Sequence, residues 1–233
     1  MTALLTGSEV LTAPEAVEKH FVSRGQGLEF EMEAGWIRRR LPRYAGRVID
    51  VGCGNGSLFP YLAVPCVVGM DYQFEGLRLT RRRFPSVPTI CATAEAIPLS
   101  DDSADAVTLQ HVIEHLPDPM RACTEWKRVL RPGGRLLILT PNAEFEDPSV
   151  FDDPTHRELF DATRLKKLMK TCGFIVRELC TIGLPWLRSY RRIPCGWRLR
   201  RFTIRHAAAI SALPSWRWSG QTLCCAAVRP VGP

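Results

Sequence analysis

Arg47-Val48-Ile49-Asp50-Val51-Gly52-Cys53-Gly54-Asn55-Gly56-Ser57-Leu58 is the stretch whose reading decides the fold. Its first part is apolar and β-branched, as suits a short strand buried on both faces of a parallel sheet. Glycines then stand at alternate positions, 52, 54 and 56. Without a Cβ, each allows positive φ and close backbone approach to a ligand. A helix beginning near Leu58 would turn unsatisfied N–H groups and its positive end toward that ligand. A tight turn with no ligand is the plain alternative.

The flanking residues separate two ligand classes. A dinucleotide fingerprint, G-x-G-x-x-G, fits Gly52 and Gly54 but requires glycine at position 57, which is Ser57. Asp50, two residues before the first glycine, would repel a pyrophosphate.

Outward from this stretch the chain alternates strand and helix signals, the pattern of an α/β fold. A helix is expected from Gly27 to Leu41, with Leu28, Met32, Trp36, Ile37 and Leu41 on one face and Pro42 ending it. A shorter helix is expected near Pro14–Phe21. After the glycine turn come a helix over Leu58–Leu62, a strand Cys66–Asp71, a helix Glu75–Arg83 and a strand Val87–Cys91. Asp71 lies at a strand end about twenty residues beyond the first glycine, where a carboxylate can accept from two ribose hydroxyls. A strand Asp105–Gln110 then runs into His111-Val112-Ile113-Glu114-His115. The helix Met120–Leu130, the turn Arg131–Gly134 and a strand Arg135–Thr140 follow. A helix Thr163–Cys172 closes at Gly173, an expected cap. Strands Phe174–Cys180 and Gln221–Val228 finish the pattern, the last antiparallel and at the sheet edge.

Several motifs in this order resemble the class I S-adenosylmethionine (SAM) methyltransferases. They are the turn Asp50-Val51-Gly52-Cys53-Gly54-Asn55-Gly56, the acidic strand end Asp71, the loop Ala94-Glu95-Ala96-Ile97-Pro98, the pair Glu114-His115, and Arg131-Pro132-Gly133-Gly134 before an apolar strand. The resemblance covers roughly residues 27–183 and 221–229. It implies a Rossmann-like α/β fold with a seven-stranded, mostly parallel sheet and an antiparallel last strand. One domain would occupy 1–233, with an N-terminal helical lead over 1–46 and a basic insertion over 184–218.

The implied activity is methyl transfer from SAM, whose ammonium and sulfonium suit the charge of Asp50. The implied cofactor residues are Asp50, Gly52, Cys53, Gly54, Gly56, Asp71, Tyr72, Thr93, Ala94, Glu95 and Gln110. Thr93 departs from the family, which usually has Asp there to accept from the adenine amino group. A threonine hydroxyl accepts without charge assistance, while the Ala94 amide can serve the ring in either case. Glu95 also reads as a plain surface charge.

Because the sulfonium already activates the methyl group, the protein must mainly align it, exclude water and supply a base for an oxygen nucleophile. His115 and His156 are the catalytic candidates, since imidazole titrates near working pH. Their structural readings are a helix cap and a packing residue. No metal is expected; were one bound, His111, Glu114, His115 and His156 would be its set. That segment resembles metal-dependent RNA 2′-O-methyltransferases, with His111 at the place of a glutamate. It also resembles the more numerous methyltransferases of quinone rings and sugars, including the polyprenyl hydroxyphenol group. The expected acceptor is therefore a hydroxyl on a small or lipid-linked molecule. An RNA acceptor and a non-catalytic SAM-binding partner subunit are the rivals.

Composition narrows the setting. The 233 residues carry nine cysteines without a CxxC pair, neither a disulfide framework nor a zinc pattern. Reduced thiols, no spanning apolar run and no basic-then-apolar leader predict a soluble, cytoplasmic protein. The net charge of +7 is uneven: Arg177, Arg188, Arg191, Arg192, Arg198, Arg200, Arg201, Arg205, Arg217 and Arg229 face Glu178 alone after residue 176. Such a region suits an anionic substrate, a nucleic acid, peripheral contact with an acidic membrane, or only solvent. Trp186, Trp197, Trp216 and Trp218 read as core or lid packing rather than a base-stacking platform.

Overall fold

The computed structural model describes residues 4–6, 9–11, 27–145, 153–183 and 221–232. The helix expected near Pro14–Phe21 and the basic insertion over 184–218 lie outside them. Strands β1 (Leu4–Thr6) and β2 (Glu9–Leu11) pair as an antiparallel ribbon.

Helix α1 (Leu28–Arg40) carries Glu29 and Glu31 in its first turn and Arg38, Arg39 and Arg40 in its last, each sign placed against the opposite end of the helix dipole. It stops at Leu41, whose extended ψ of 145° is what a following proline demands.

The main sheet contains β3 (Arg47–Val51), β4 (Cys66–Asp71), β5 (Thr89–Cys91), β6 (Ala104–Gln110), β7 (Leu130–Pro141), β8 (Ile175–Ile182) and β9 (Thr222–Val228). Their spatial order is β5-β4-β3-β6-β7-β9-β8. Neighbours from β5 to β7 are parallel, and β9 is antiparallel to both β7 and β8. The final strand therefore sits inside the sheet and β8 holds the edge, opposite to the expected placement. Burial explains this: all but the last residue of β9 are buried, whereas β8 begins with exposed Ile175.

Two further expectations are corrected. The helix after the glycine turn, α2 (Phe59–Leu62), is only four residues long, with Pro60 inside it and Ala63 left-handed at φ 49°. So short a helix carries little dipole toward a ligand. The expected turn at 131–134 is drawn into β7, with Gly133 at φ 80° and its amide donating to the Arg229 carbonyl at 2.9 Å.

Alternation along β7 shows the layering. Leu136 and Ile138 enter one core with Trp126, Leu165 and Met169, under α4 (Pro119–Val129) and α5 (Ala162–Thr171). Leu137 and Leu139 enter the other with Trp36, Ile37, Phe59 and Leu77, under α1, α2 and α3 (Phe74–Arg83). The chain winds outward from β3 through β4 to β5, then returns beside β3 as β6 and winds the other way to β7. The β3/β6 boundary is the topological switch, and in open α/β sheets ligands bind in the crevice outside the carboxyl ends of the strands at that point.

Candidate active site

At that switch point the glycine turn leaves β3. Gly52, Gly54 and Gly56 have φ of 72°, 52° and 73°. A Cβ on Gly52 would lie 2.3 Å from Val112 Cγ2, so the turn is pressed against the segment leaving β6. The amides of Gly52 and Cys53 donate to the Met70 carbonyl at 2.7 and 3.0 Å, fastening the turn to β4.

Asp71 finishes this fastening. Its two carboxylate oxygens accept from the amides of Gly54 and Gln73, each at 2.8 Å. Burial pushes its pKa up, and these backbone bonds hold it back. Each oxygen keeps a further lone pair, so the carboxylate orders the loop and can still accept from ribose hydroxyls. Asp50 is buried and accepts from Thr108 Oγ1 at 2.7 Å. Burial raises its pKa to about 7, Thr108 opposing and Asp71 adding to the rise. Cys53 is buried, and its thiol is pushed well up by burial. Tyr72 is exposed just beyond the strand end.

The loop with Thr93, Ala94 and Glu95 follows β5. Ala94 is buried, and Glu95 Oε1 is buried without a hydrogen-bond partner in the structure. Helix α4 anchors this loop. Arg128 donates to the Leu99 and Ile97 carbonyls at 2.7 Å each, and Glu125 accepts from the Ile97 amide at 2.9 Å. The residues expected to seat the cofactor thus line the edge of three adjacent strands. Gln110 differs in that its amide donates to Glu33 Oε2 at 2.7 Å.

The histidines build the neighbouring half of the site. His111 leaves β6 with φ 55° and approaches Glu33 with Nε2 at 3.1 and 3.2 Å. Its Nδ1 lies 3.6 Å from Glu114 Oε1. Burial opposes the charged ring, but Glu33 and Glu114 prevail and raise its pKa to about 10. The two carboxylates facing its ring nitrogens thus favour the charged form of His111. Both carboxylates are held below their usual range by His111, against the effect of burial.

His115 ends the 3-10 turn Ile113–His115. Its Nδ1 faces the Thr155 carbonyl at 3.2 Å and Thr155 Oγ1 at 3.0 Å. Thr155 Oγ1 donates in turn to Asp153 Oδ1 at 2.5 Å. A carbonyl can only accept, so these partners place a proton on Nδ1, while Nε2 lies 3.9 Å from Glu114 Oε1. His156 arrives on the loop after β7, which is zipped to the 3-10 turn by the amides of Arg157 and Glu158 donating to the Glu114 carbonyl at 2.8 and 3.2 Å. The two rings sit 4.9 Å apart, and a shallow cavity of about 310 Å³ opens beside His156.

One ligating atom each from Glu114, His115 and His156 lies within 4.8 Å of the others. His111, the fourth residue of the sequence-derived set, is drawn instead into its pairs with Glu33 and Glu114. Glu114 Oε2 accepts from Thr140 Oγ1 at 2.9 Å, while Oε1 makes no hydrogen bond among the described residues.

Glu33 and Thr222 belong to none of the sequence motifs. Glu33 had left a signal: it stands three residues after Phe30 and four before Ile37, on the buried face of α1.

Comparison with known proteins agrees with this architecture. Residues 49–138 match the model of a methyltransferase domain family. A probable S-adenosylmethionine-dependent methyltransferase of Mycolicibacterium smegmatis is 34% identical over 185 residues, covering 77% of this chain and 68% of that protein. A demethylmenaquinone methyltransferase of Renibacterium salmoninarum is 37% identical over 105 residues, 44% of this chain and 43% of its own. In fold, the chain is similar to Haemonchus contortus phosphoethanolamine N-methyltransferase 2 in complex with SAM, with a TM-score of 0.67, 18% identity, and coverage of 94% of this chain and 57% of that one. The glycine cradle and the buried carboxylate at the end of β4 fit the cofactor such enzymes use. This chain belongs to the SAM-dependent methyltransferases.

Proposed function

We propose that the protein transfers the methyl group of SAM to a hydroxyl oxygen of a small or lipid-linked acceptor. The observation that carries this reading is the His115–His156 pair, with rings 4.9 Å apart, next to the switch-point edge. In this reading Gly52, Gly54 and Gly56 receive the methionine part of the cofactor, with Cys53 in the same turn. Asp50 supplies the matching charge beneath them. Asp71 accepts from the ribose, with Tyr72 beside it, and the loop of Thr93, Ala94 and Glu95 borders the adenine. SAM supplies the electrophilic methyl group. The protein aligns it with the acceptor and keeps water out.

With the Nδ1 proton of His115 committed to Thr155, Nε2 is the atom able to accept the hydroxyl proton as the oxygen attacks. Asp153, through Thr155, steadies that ring. His156 packs across it and borders the acceptor side. The similarity to a demethylmenaquinone methyltransferase supports a quinone-type acceptor. Among the described residues all eight cysteines are free thiols and no helix is long and apolar enough to cross a membrane, which supports a cytoplasmic enzyme meeting lipid only at a surface.

A second reading is favoured by one observation, the unbonded Glu114 Oε1 beside two imidazoles. Imidazole and carboxylate donors suit a divalent metal, which would make this a metal-assisted RNA 2′-O-methyltransferase with the arginine-rich segment on its substrate.

Incubation with methyl-labelled SAM and an extract of the source cells decides between them. Label in the lipid or small-molecule fraction is the expected outcome. Label in RNA, abolished by a chelator, would overturn the leading reading in favour of the second.

A further inference from the structure

Glu33 is an anomaly of the fold: an acidic side chain only 4% exposed, on the apolar face of α1, remote in sequence from every motif. Its carboxylate is nonetheless fully engaged. Oε1 accepts from Thr222 Oγ1 at 2.6 Å and faces His111 Nε2 at 3.1 Å; Oε2 accepts from Gln110 Nε2 at 2.7 Å. These contacts join α1 to β6 and β9 at one point. That point is the mouth of the switch crevice, because Gln110 is the last residue of β6 and Val112, two residues on, presses against Gly52. Between them His111 holds a left-handed backbone, which is disfavoured for a non-glycine residue and persists only where its surroundings impose it. Its amide is tied to the Leu139 carbonyl at 2.9 Å, and its side chain is tied to Glu33.

We propose that Glu33 is a positioning residue of the methyl-transfer site: from α1 it fixes His111 and Gln110, sets the segment leaving β6 against the glycine turn, and so governs the grip on the cofactor. The proposal rests on the glycine turn being the SAM seat. Glu33 touches neither cofactor nor acceptor in this scheme. It acts through the two residues it holds and through the backbone between them. A carboxylate is required because one group must accept from a ring N–H, an amide and a hydroxyl together. A glutamine has one acceptor oxygen in place of two.

Calorimetry with S-adenosylhomocysteine on the full chain tests this, with thermal unfolding measured on the same samples. Wild type should bind, Glu33→Gln should bind about tenfold more weakly, and Glu33→Ala more weakly still. A variant destabilised far from the crevice, Met169→Ala, should lose thermal stability and keep wild-type affinity. That contrast separates positioning from general loosening. If Glu33→Gln does not fold, the wild type alone decides through its His111 ring-nitrogen resonances. They should shift when S-adenosylhomocysteine is added, and unshifted resonances would overturn the proposal. Folded Glu33→Gln with unchanged affinity overturns it while leaving the seat intact. Failure of the wild type to bind overturns the seat, and this proposal with it.

Discussion

The two halves of the site are built on different principles. The cofactor half is local: the turn follows directly from β3, and Asp71, its fastener, ends the adjacent β4 only 17 residues after Gly54. The histidine half is long-range. Glu33 comes from α1, His111 and His115 follow β6, Thr140 is the last residue but one of β7, His156 lies on the loop beyond it, and Thr222 begins β9, 189 residues after Glu33. The first half needs one strand pair to be correct. The second needs the sheet to close, because its buried carboxylates draw partners such as Thr140 and Thr222 from distant strands. Disturbance of the first half should therefore appear as lost cofactor affinity. Disturbance of the second should appear as lost turnover or a changed grip at unchanged chemistry.

Gly52→Ala should be the harshest test of the local half. It places a Cβ 2.3 Å from Val112 and forces φ of 72° on a residue that disfavours it. Binding of S-adenosylhomocysteine should fall below detection by calorimetry; retained binding would break the assignment of the turn. His115→Ala probes the other half. It should lower kcat about 100-fold or more, in the range of general-base catalysis, while cofactor affinity stays at the wild-type value. Equal losses in both quantities would erase the proposed division.

A milder test uses pH. Burial raises Asp50 to about 7 from its ordinary 3.8, so it is neutral below that pH and charged above it. Its contribution to stability is greatest below its unfolded pKa and falls as pH climbs toward 7, because the unfolded chain ionises first. Affinity for the cationic SAM should move the other way, rising several-fold between about pH 6 and 8. Asp50→Asn should flatten that titration curve. The smallest effect is expected at Arg128, which anchors the loop of Thr93 to Leu99 from α4. Arg128→Ala should raise KM for SAM about threefold, the scale of a partly exposed hydrogen-bonded pair, with kcat unchanged.

The sequence was most legible where chemistry is consecutive. Apolar β-branched runs, alternate glycines and Asp71 marked strand, turn and strand end because each is a demand of the local backbone. The order of elements followed, and with it the family. The boundaries that moved did so for packing reasons. Pro60 and a left-handed Ala63 confine α2 to one turn. The buried faces of β9 carry it inside the sheet, and backbone bonds from Arg229, just beyond it, to Gly133 and Gly134 draw that turn into β7. His111, Glu114, His115 and His156 were visible as titratable residues near one edge. Nothing in their spacing told which of them would pair.

What the sequence alone determined, then, is the α/β class, the glycine turn and its acidic companions, because these arise from backbone geometry over a few residues. Only the tertiary structure decided that His111 is held between Glu33 and Glu114 and that His115 faces His156. It also showed that a glutamate on α1 reaches the mouth of the crevice. Those roles depend on burial and on partners up to 189 residues away, and a charge has no fixed role until its neighbours and its exclusion from water are known.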